Sequence, residues 1–338
     1  MRIVVTGASG NLGTAVLRAA AAELPKAEVV AVARRAPAAG AAAPEAPART
    51  EWVERDLRDE ELTPVLAGAD AVVHLTWAFH PAHQPEQTWR TNVIGTRRLL
   101  DAVARAKVPH VAVASSVAAY SPRQSLAPID EEWPTDGASD APYAREKAYV
   151  ERALDGFDAA NPEVTVTRMR PAFVFQPTAA SEQRRIFAGR LAPTRAALKA
   201  ASLVLPLPSE LALQAVHADD VGAAFVSAVA RTAGGAFNLA ADDVLDGAGL
   251  QEVFGGRPVR VPDPLARVAV AAGFRSRLLP ADPRLLDALL RVPMLSSARA
   301  RTQLDWQPQH SSADALTTLR EGLLQGAGAP TPPLHTGV

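Results

Sequence analysis

Three features of the 338-residue sequence predict an α/β protein, a doubly wound parallel sheet with a smaller, mostly helical C-terminal lobe. Short β-branched runs alternate with helical patterns in the first half of the chain. A glycine-rich turn joins the first of these runs to the first helix. After Pro171 the alternation gives way to proline-rich, mostly helical sequence.

The elements follow in order. RIVVT (2–6) has the composition of a buried parallel strand, and NLGTAVLRAAAAEL after it reads as a helix. EVVAVA (28–33) is a second strand. APAAGAAAPEAPART (36–50) has no apolar period and reads as a loop. EWVERD and DAVVHLT (70–76) are the third and fourth strands, and a helix runs from about Gln87 to Lys107. HVAVASS (110–116) is the fifth strand, a helix carries Tyr143 to about Phe157, and VTVTRMR (164–170) is the sixth strand. Residues 176–210 and 241–300 read as helical and irregular, while LQAVHADDV and GAFNLA return to the sheet as strands.

Composition narrows the function. The net charge is -1, with 48% hydrophobic and 21% charged residues, so neither nucleic acid nor an anionic membrane is favoured as a partner. The chain has no cysteine, which excludes disulfides, thiolate zinc sites and cysteine nucleophiles. No secretory pattern opens it, and no apolar run approaches the roughly 20 residues of a membrane helix. A cytoplasmic protein acting on a small molecule is expected.

TGASGNLG sets Gly7, Gly10 and Gly13 between a strand and a helix. Glycine lets a ligand approach the backbone, and the helix N-terminus offers N–H groups to a phosphate. In that context the turn predicts a dinucleotide site on a Rossmann-type sheet. A site for NAD usually has an acidic residue at the end of the second strand. Here Ala33 is followed by Arg34 and Arg35, which suit a 2′-phosphate. NADP(H) is therefore preferred, with NAD(H) possible. Asp56, after the third strand, is placed to accept from an adenine amino group.

In APYAREKAYVE, Tyr143 and Lys147 stand four apart and share one helix face. An ammonium near a phenol favours the phenolate, so Tyr143 is expected to have a lowered pKa and to exchange protons with a substrate oxygen. Ser115 and Ser116 end the fifth strand on opposite faces, so one of them serves. Taken singly, each has a plainer reading: a Tyr–Lys pair on a helix surface, with Glu146 and Tyr149 as surface decoration.

Together, TGASGNLG, SSVAAY and YAREK resemble the extended short-chain dehydrogenase/reductases, the NAD-dependent epimerase/dehydratase family. DAVVHLT, TNVIGTRRLLDA, RMRPAFVF, VHADDV, GAFNLA and LDWQPQHS extend the resemblance along almost the whole chain. It implies Tyr143 as general acid/base and Lys147 as the residue that binds the nicotinamide ribose. Ser116 is the serine, four before Tyr120, and Asn92 either supports a proton relay or holds its helix. It extends the cofactor set to Ser9, Asn11, Leu12, Leu57, Leu75, Thr76, Lys147 and Pro171. It implies residues 1–175 with 211–240 as the NAD(P)-binding domain and 176–210 with 241–328 as the substrate lobe. It also implies a homodimer through the helices of Asn92 and Tyr143.

The reaction is less plainly written. Dehydratases of the family carry Thr-Asp-Glu where this chain has Ser116-Val117-Ala118, and some epimerases use a cysteine that this chain lacks. Phe173 replaces a frequent asparagine, and Gln176 a frequent glycine. Trp77, Phe79, Phe173, Phe175 and Gln176 are expected around the substrate. His80 and His83 lack a third ligand for a metal, and Arg184, Arg185 and Arg190 read either as an anion clamp or as a solvated helix face. The expected function is an NADP(H)-dependent oxidoreductase acting on a ketone, aldehyde or secondary alcohol of a small, fairly lipophilic molecule. The alternatives are an NAD-dependent sugar or nucleotide-sugar epimerase and a cofactor-sensing regulator, against which the presence of Tyr143 and Lys147 argues.

Overall fold

The computed structural model describes residues 1–38, 45–79, 83–188, 204–208, 211–255, 257–280 and 282–335. Part of the 36–50 loop, His80 and Arg190 lie outside them. Seven strands form one parallel sheet: β1 (Arg2–Thr6), β2 (Glu28–Ala33), β3 (Arg49–Glu54), β4 (Ala71–His74), β5 (His110–Ala114), β6 (Thr165–Pro171) and β10 (Gly235–Leu239). Their order is β10-β6-β5-β4-β1-β2-β3. The winding reverses between β1 and β4, and a parallel sheet opens its ligand crevice at that point, beyond the carboxyl ends of the strands.

Alternation along the strands gives the sheet two apolar faces. Ile3, Val5, Val29 and Val73 pack on one side with Val16 and Leu17 of helix α1 (Asn11–Glu23), with Phe225 and with Trp306. Val4, Val30 and Val72 pack on the other with Leu99 and Leu154. Burying each such side chain contributes about 1.5–3 kcal/mol. The second layer contains α2 (Thr63–Leu66), α4 (Gly95–Ala106) and α5 (Pro142–Ala160). α4 continues α3 (Pro85–Trp89) through a π-helical stretch, Arg90–Ile94.

GAFNLA joins the sheet beside β6 as expected. LQAVHADDV does not. Only Ala215–His217 is a strand (β9), and it pairs with β7 (Phe173–Phe175) in a separate two-stranded sheet. The rest opens the helix Ala218–Arg231, whose first turn holds Asp219 and Asp220, a composition that suits a helix N-terminus. The stretches read as helical also hide a strand pair, β8 (Val204–Pro208) with β11 (Arg257–Val261). Their prolines masked the strand pattern. Helices Asp263–Arg275 and Pro283–Arg291 follow β11, with Ser312–Gln325 near the C-terminus. No helix among the described residues is long and apolar enough to cross a membrane.

Candidate active site

The glycine turn is too tight for any other residue. Gly7 has φ +73°, and a Cβ there would lie 2.7 Å from the Thr76 nitrogen. A Cβ on Gly13 would lie 2.2 Å from the Gly7 oxygen. Behind the turn, no side chain caps α1 and no acidic residue stands in its first turn. The N–H groups of that turn are therefore open to an anion.

A cavity of about 600 Å³ runs from this turn across the strand ends. Ser9, Asn11 and Leu12 line it beside the three glycines, as do Arg34, Arg35, Asp56, Leu57, Leu75, Thr76 and Pro171. All the expected cofactor residues thus meet in one cleft. Arg34 and Arg35 are exposed at its rim, and Arg55, which the sequence reading missed, joins them from the end of β3. Asp56 is held by Arg58, whose guanidinium donates at 2.6 Å. That bond leads the effects that keep the Asp56 carboxyl below its usual range.

Further in, Tyr143 is half-buried and lines the cavity with Ser116. Its ring stacks on Phe79 at 5.2 Å and meets Trp77 edge-on at 5.6 Å. Ser115 turns the other way and donates at 2.6 Å to Glu151, so Ser116 is the serine that faces the tyrosine. Lys147 is buried. Its Nζ donates to the Ala114 oxygen at 2.8 Å and sits 3.4 Å from the Trp77 ring centroid.

The expected lowering of the Tyr143 pKa is not what this geometry gives. Burial pushes Tyr143 up to about 12 and outweighs the opposing effect of Ser116. Nearby Lys147 is itself pushed down to about 7 by burial, so its charge is weakened, and its Nζ lies 6.0 Å from the tyrosine ring centroid. Tyr143 thus holds its proton through the neutral range and is poised as an acid.

Two expected contacts become supports. Asn92 is fully buried within the π-helical stretch. Its amide accepts from the Ala78 nitrogen (2.7 Å) and donates to the Ala78 oxygen (2.9 Å) and to Glu146 (2.6 Å). It clamps the loop that carries Trp77 and Phe79 and does not line the cavity. Gln176 is 1% exposed and does not line the cavity either. Its amide donates to the Asn11 oxygen (2.7 Å) and accepts from Arg18 (2.7 Å), tying the chain after β6 to the glycine-turn helix.

Glu146 is likewise no surface decoration. It is 3% exposed and also bonded by Thr88 at 2.6 Å. Tyr149 is exposed beside Trp89. Glu151, fully buried, pairs with Arg170 through two bonds of 2.9 Å. Its burial raises the carboxyl pKa, but Arg170 and Ser115 outweigh this and hold it below the usual range.

Beyond Tyr143, Phe173 and Phe175 line the inner cleft with Ile186, Val270, Leu279, Leu286 and Leu289. Arg184 and Arg185 do not line it, and Arg185 donates to the Pro333 oxygen at 2.6 Å. His83 stacks on Phe274 at 3.9 Å, away from the cavity.

The sequence model of the NAD dependent epimerase/dehydratase family matches residues 3–240. The chain belongs to this family. A UDP-glucose 4-epimerase of Yersinia pestis is 31% identical over 121 residues, 34% of this chain and 35% of that protein. The match therefore spans about a third of that relative's length. The fold is shared with a UDP-glucuronic acid 4-epimerase of Bacillus cereus, solved with a UDP-sugar and NAD. Its TM-score is 0.71 at 17% identity, over 96% of this chain and 99% of that one. A UDP-glucose 4-epimerase of Thermotoga maritima, solved with UDP-glucose, has TM-score 0.69 at 20% identity, over 96% and 99%.

Proposed function

We propose that the protein moves a hydride between a nicotinamide dinucleotide and the carbon of a secondary alcohol or ketone, while Tyr143 moves the accompanying proton. The observation that carries this reading is the placement of Tyr143, Ser116 and Lys147 together in the lining of the cleft that the glycine cradle opens. The glycine turn, Arg34, Arg35 and Asp56 would hold the dinucleotide, which supplies the hydride donor or acceptor. Tyr143 then gives its proton to the carbonyl oxygen in reduction and takes it back in oxidation. Ser116 orients the tyrosine hydroxyl. Trp77 and Phe79 wall the reacting carbon from water. On this reading residues 1–175 with 211–240 bind the dinucleotide, and 176–210 with 241–328 bind the substrate.

Two fates follow the shared step. The relatives named above support the first: an epimerase, in which the hydride leaves an alcohol carbon and returns to the other face of the ketone. They back this fate better than a net reductase, and they favour NAD(H) and a sugar or nucleotide-sugar substrate. The second fate is a net oxidoreductase using NADP(H) on a lipophilic carbonyl compound. Arg34, Arg35 and Arg55 at the rim and the apolar inner wall favour it. A pair of copies joined through α4 and α5 belongs to either fate, and the exposed Ile94 and Tyr149 support it.

The test is incubation of the stripped protein with NAD and UDP-glucose, read by NMR for UDP-galactose and by absorbance for NADH. Conversion without net NADH identifies the epimerase. No conversion, with NADPH consumed by lipophilic ketones, identifies the oxidoreductase. Failure of both sets, amine-bearing nucleotide sugars and ketones included, would overturn the hydride-transfer reading.

A further inference from the structure

Among the described residues, two side chains of the inner cleft, Glu182 and Gln183, carry hydrogen-bond acceptors that receive no donor. Glu182 and Gln183, in the short helix α6 (Ala180–Gln183), both line the cavity. Gln183 is 8% exposed. Its amide nitrogen donates to the Val174 oxygen at 2.8 Å, and its Oε1 is buried without a partner. Glu182 is half-buried and receives no hydrogen bond among the described residues.

The surroundings do not compensate. Among the described residues, Arg185 is the charged group that acts on Glu182, and its guanidinium is already committed to the His335 and Pro333 oxygens. Asp282, the other acid of this chamber, caps the helix Pro283–Arg291 and pairs with Arg284 at 2.6 Å. The cations that line the whole cleft are Arg34, Arg35, Arg55 and Lys147, at the rim and the reaction centre. Ile186, Val270, Leu279, Leu286 and Leu289 also line the cavity. A carboxylate left bare in such a place raises its own pKa, and burial pushes Glu182 up to about 7. A buried acceptor without a donor costs free energy that a ligand can restore.

We propose that Glu182 and Gln183 form the recognition site for a positively charged amino group on the substrate. The ammonium would donate to both acceptors while the apolar wall holds the carbon body next to it. The inference rests on the cleft being the substrate site under either fate. It narrows the substrate to a molecule that bears an amine and keeps any phosphate away from Ile186 and Leu286.

The experiment measures binding alone, so its outcome is separate from that of the hydride-transfer test. Hexylamine, hexanol and hexanoate, equal in carbon body, are titrated into the full-length protein and into Glu182→Gln by calorimetry. A parallel NADPH titration verifies that the variant is folded. The expected result is hexylamine binding roughly tenfold more tightly than hexanol, with hexanoate weakest. That preference grows from about pH 6 to about pH 8 as Glu182 ionises. It disappears in Glu182→Gln and is reduced in Gln183→Leu. A preference that survives Glu182→Gln, hexanoate binding as well as hexylamine, or no binding by any of the three would overturn the proposal.

Discussion

The outer half of the cleft, at the strand ends, is supported by polar groups in mutually bonded positions: Asn92 to Ala78 and Glu146, and Ser115 and Arg170 to Glu151. The inner half, between Ile186, Val270 and the helix Pro283–Arg291, is a mostly apolar wall in which, among the described residues, Gln183 Oε1 has no hydrogen-bond partner. On the proposed reading, the outer half places atoms for one chemical step. The inner half is shaped by packing, which tolerates change in a way that a reaction centre does not. Within one fold, chemistry and selectivity are thus carried by different kinds of surface.

If that division holds, substitutions in the two halves differ in kind as well as size. The largest effect is expected at the reaction centre. Tyr143→Phe lowers turnover by about 10² to 10⁴-fold and leaves NADH binding unchanged, as steady-state rates and a fluorescence titration would show. Equal loss of binding would mean that the tyrosine shapes the site and does not move the proton.

Next in size is the buried support. Arg170→Met leaves buried Glu151 with the Ser115 hydroxyl and the more distant Arg168, at 4.0 Å, and costs about 3 kcal/mol in urea unfolding. Replacing both residues by apolar ones returns most of that stability, and an unchanged midpoint in the single variant would contradict the pairing. Gly13→Ala drives a methyl into the Gly7 oxygen and weakens dinucleotide binding by roughly a hundredfold, about 2.7 kcal/mol.

The inner wall answers more mildly. Leu286→Ser raises the substrate KM by roughly tenfold, about 1.4 kcal/mol, while dinucleotide affinity stays level. A drop in dinucleotide affinity as large as the KM change would erase the distinction between the halves.

The smallest effect is a titration. Lys147 is charged below its folded pKa of about 7 and neutral above it, whereas in the unfolded chain it stays charged to about 10.4. Stability from this depressed pKa is full above the unfolded value and is lost as pH falls from about 10 toward 7. The melting temperature of wild type relative to Lys147→Met should fall over that window. With four lysines in the chain, ¹³C-lysine NMR should show one signal with a midpoint near 7 that vanishes in the variant. A flat difference and a midpoint above 9 would contradict the burial argument.

The outer half was the more legible in the sequence because its signals are local. Gly7, Gly10 and Gly13 answer to backbone geometry within one turn, and Tyr143 with Lys147 to one turn of helix. Strand alternation says that only one of Ser115 and Ser116 can serve, and the family resemblance, counting back from Tyr120, points to Ser116. What was not legible depends on distant partners. Glu146 and Glu151 look solvated in AREKAYVERAL, yet they meet Thr88, Asn92 and Arg170 from elsewhere in the chain. Gln176 reads as a substrate contact until Asn11 and Arg18 are seen to hold its amide. The direction of the Tyr143 shift turned on burial, which no spacing rule reports.

The measurement that tests the central claim most directly is a fluorescence titration of the cofactor-stripped protein with NADH and NADPH, in wild type and in Gly13→Ala. The account predicts saturable binding of at least one dinucleotide in wild type and its loss in the variant. A preference between the two would report on Arg34, Arg35 and Arg55. Absence of binding to both, or binding untouched by Gly13→Ala, would contradict the assignment of this cleft to a dinucleotide.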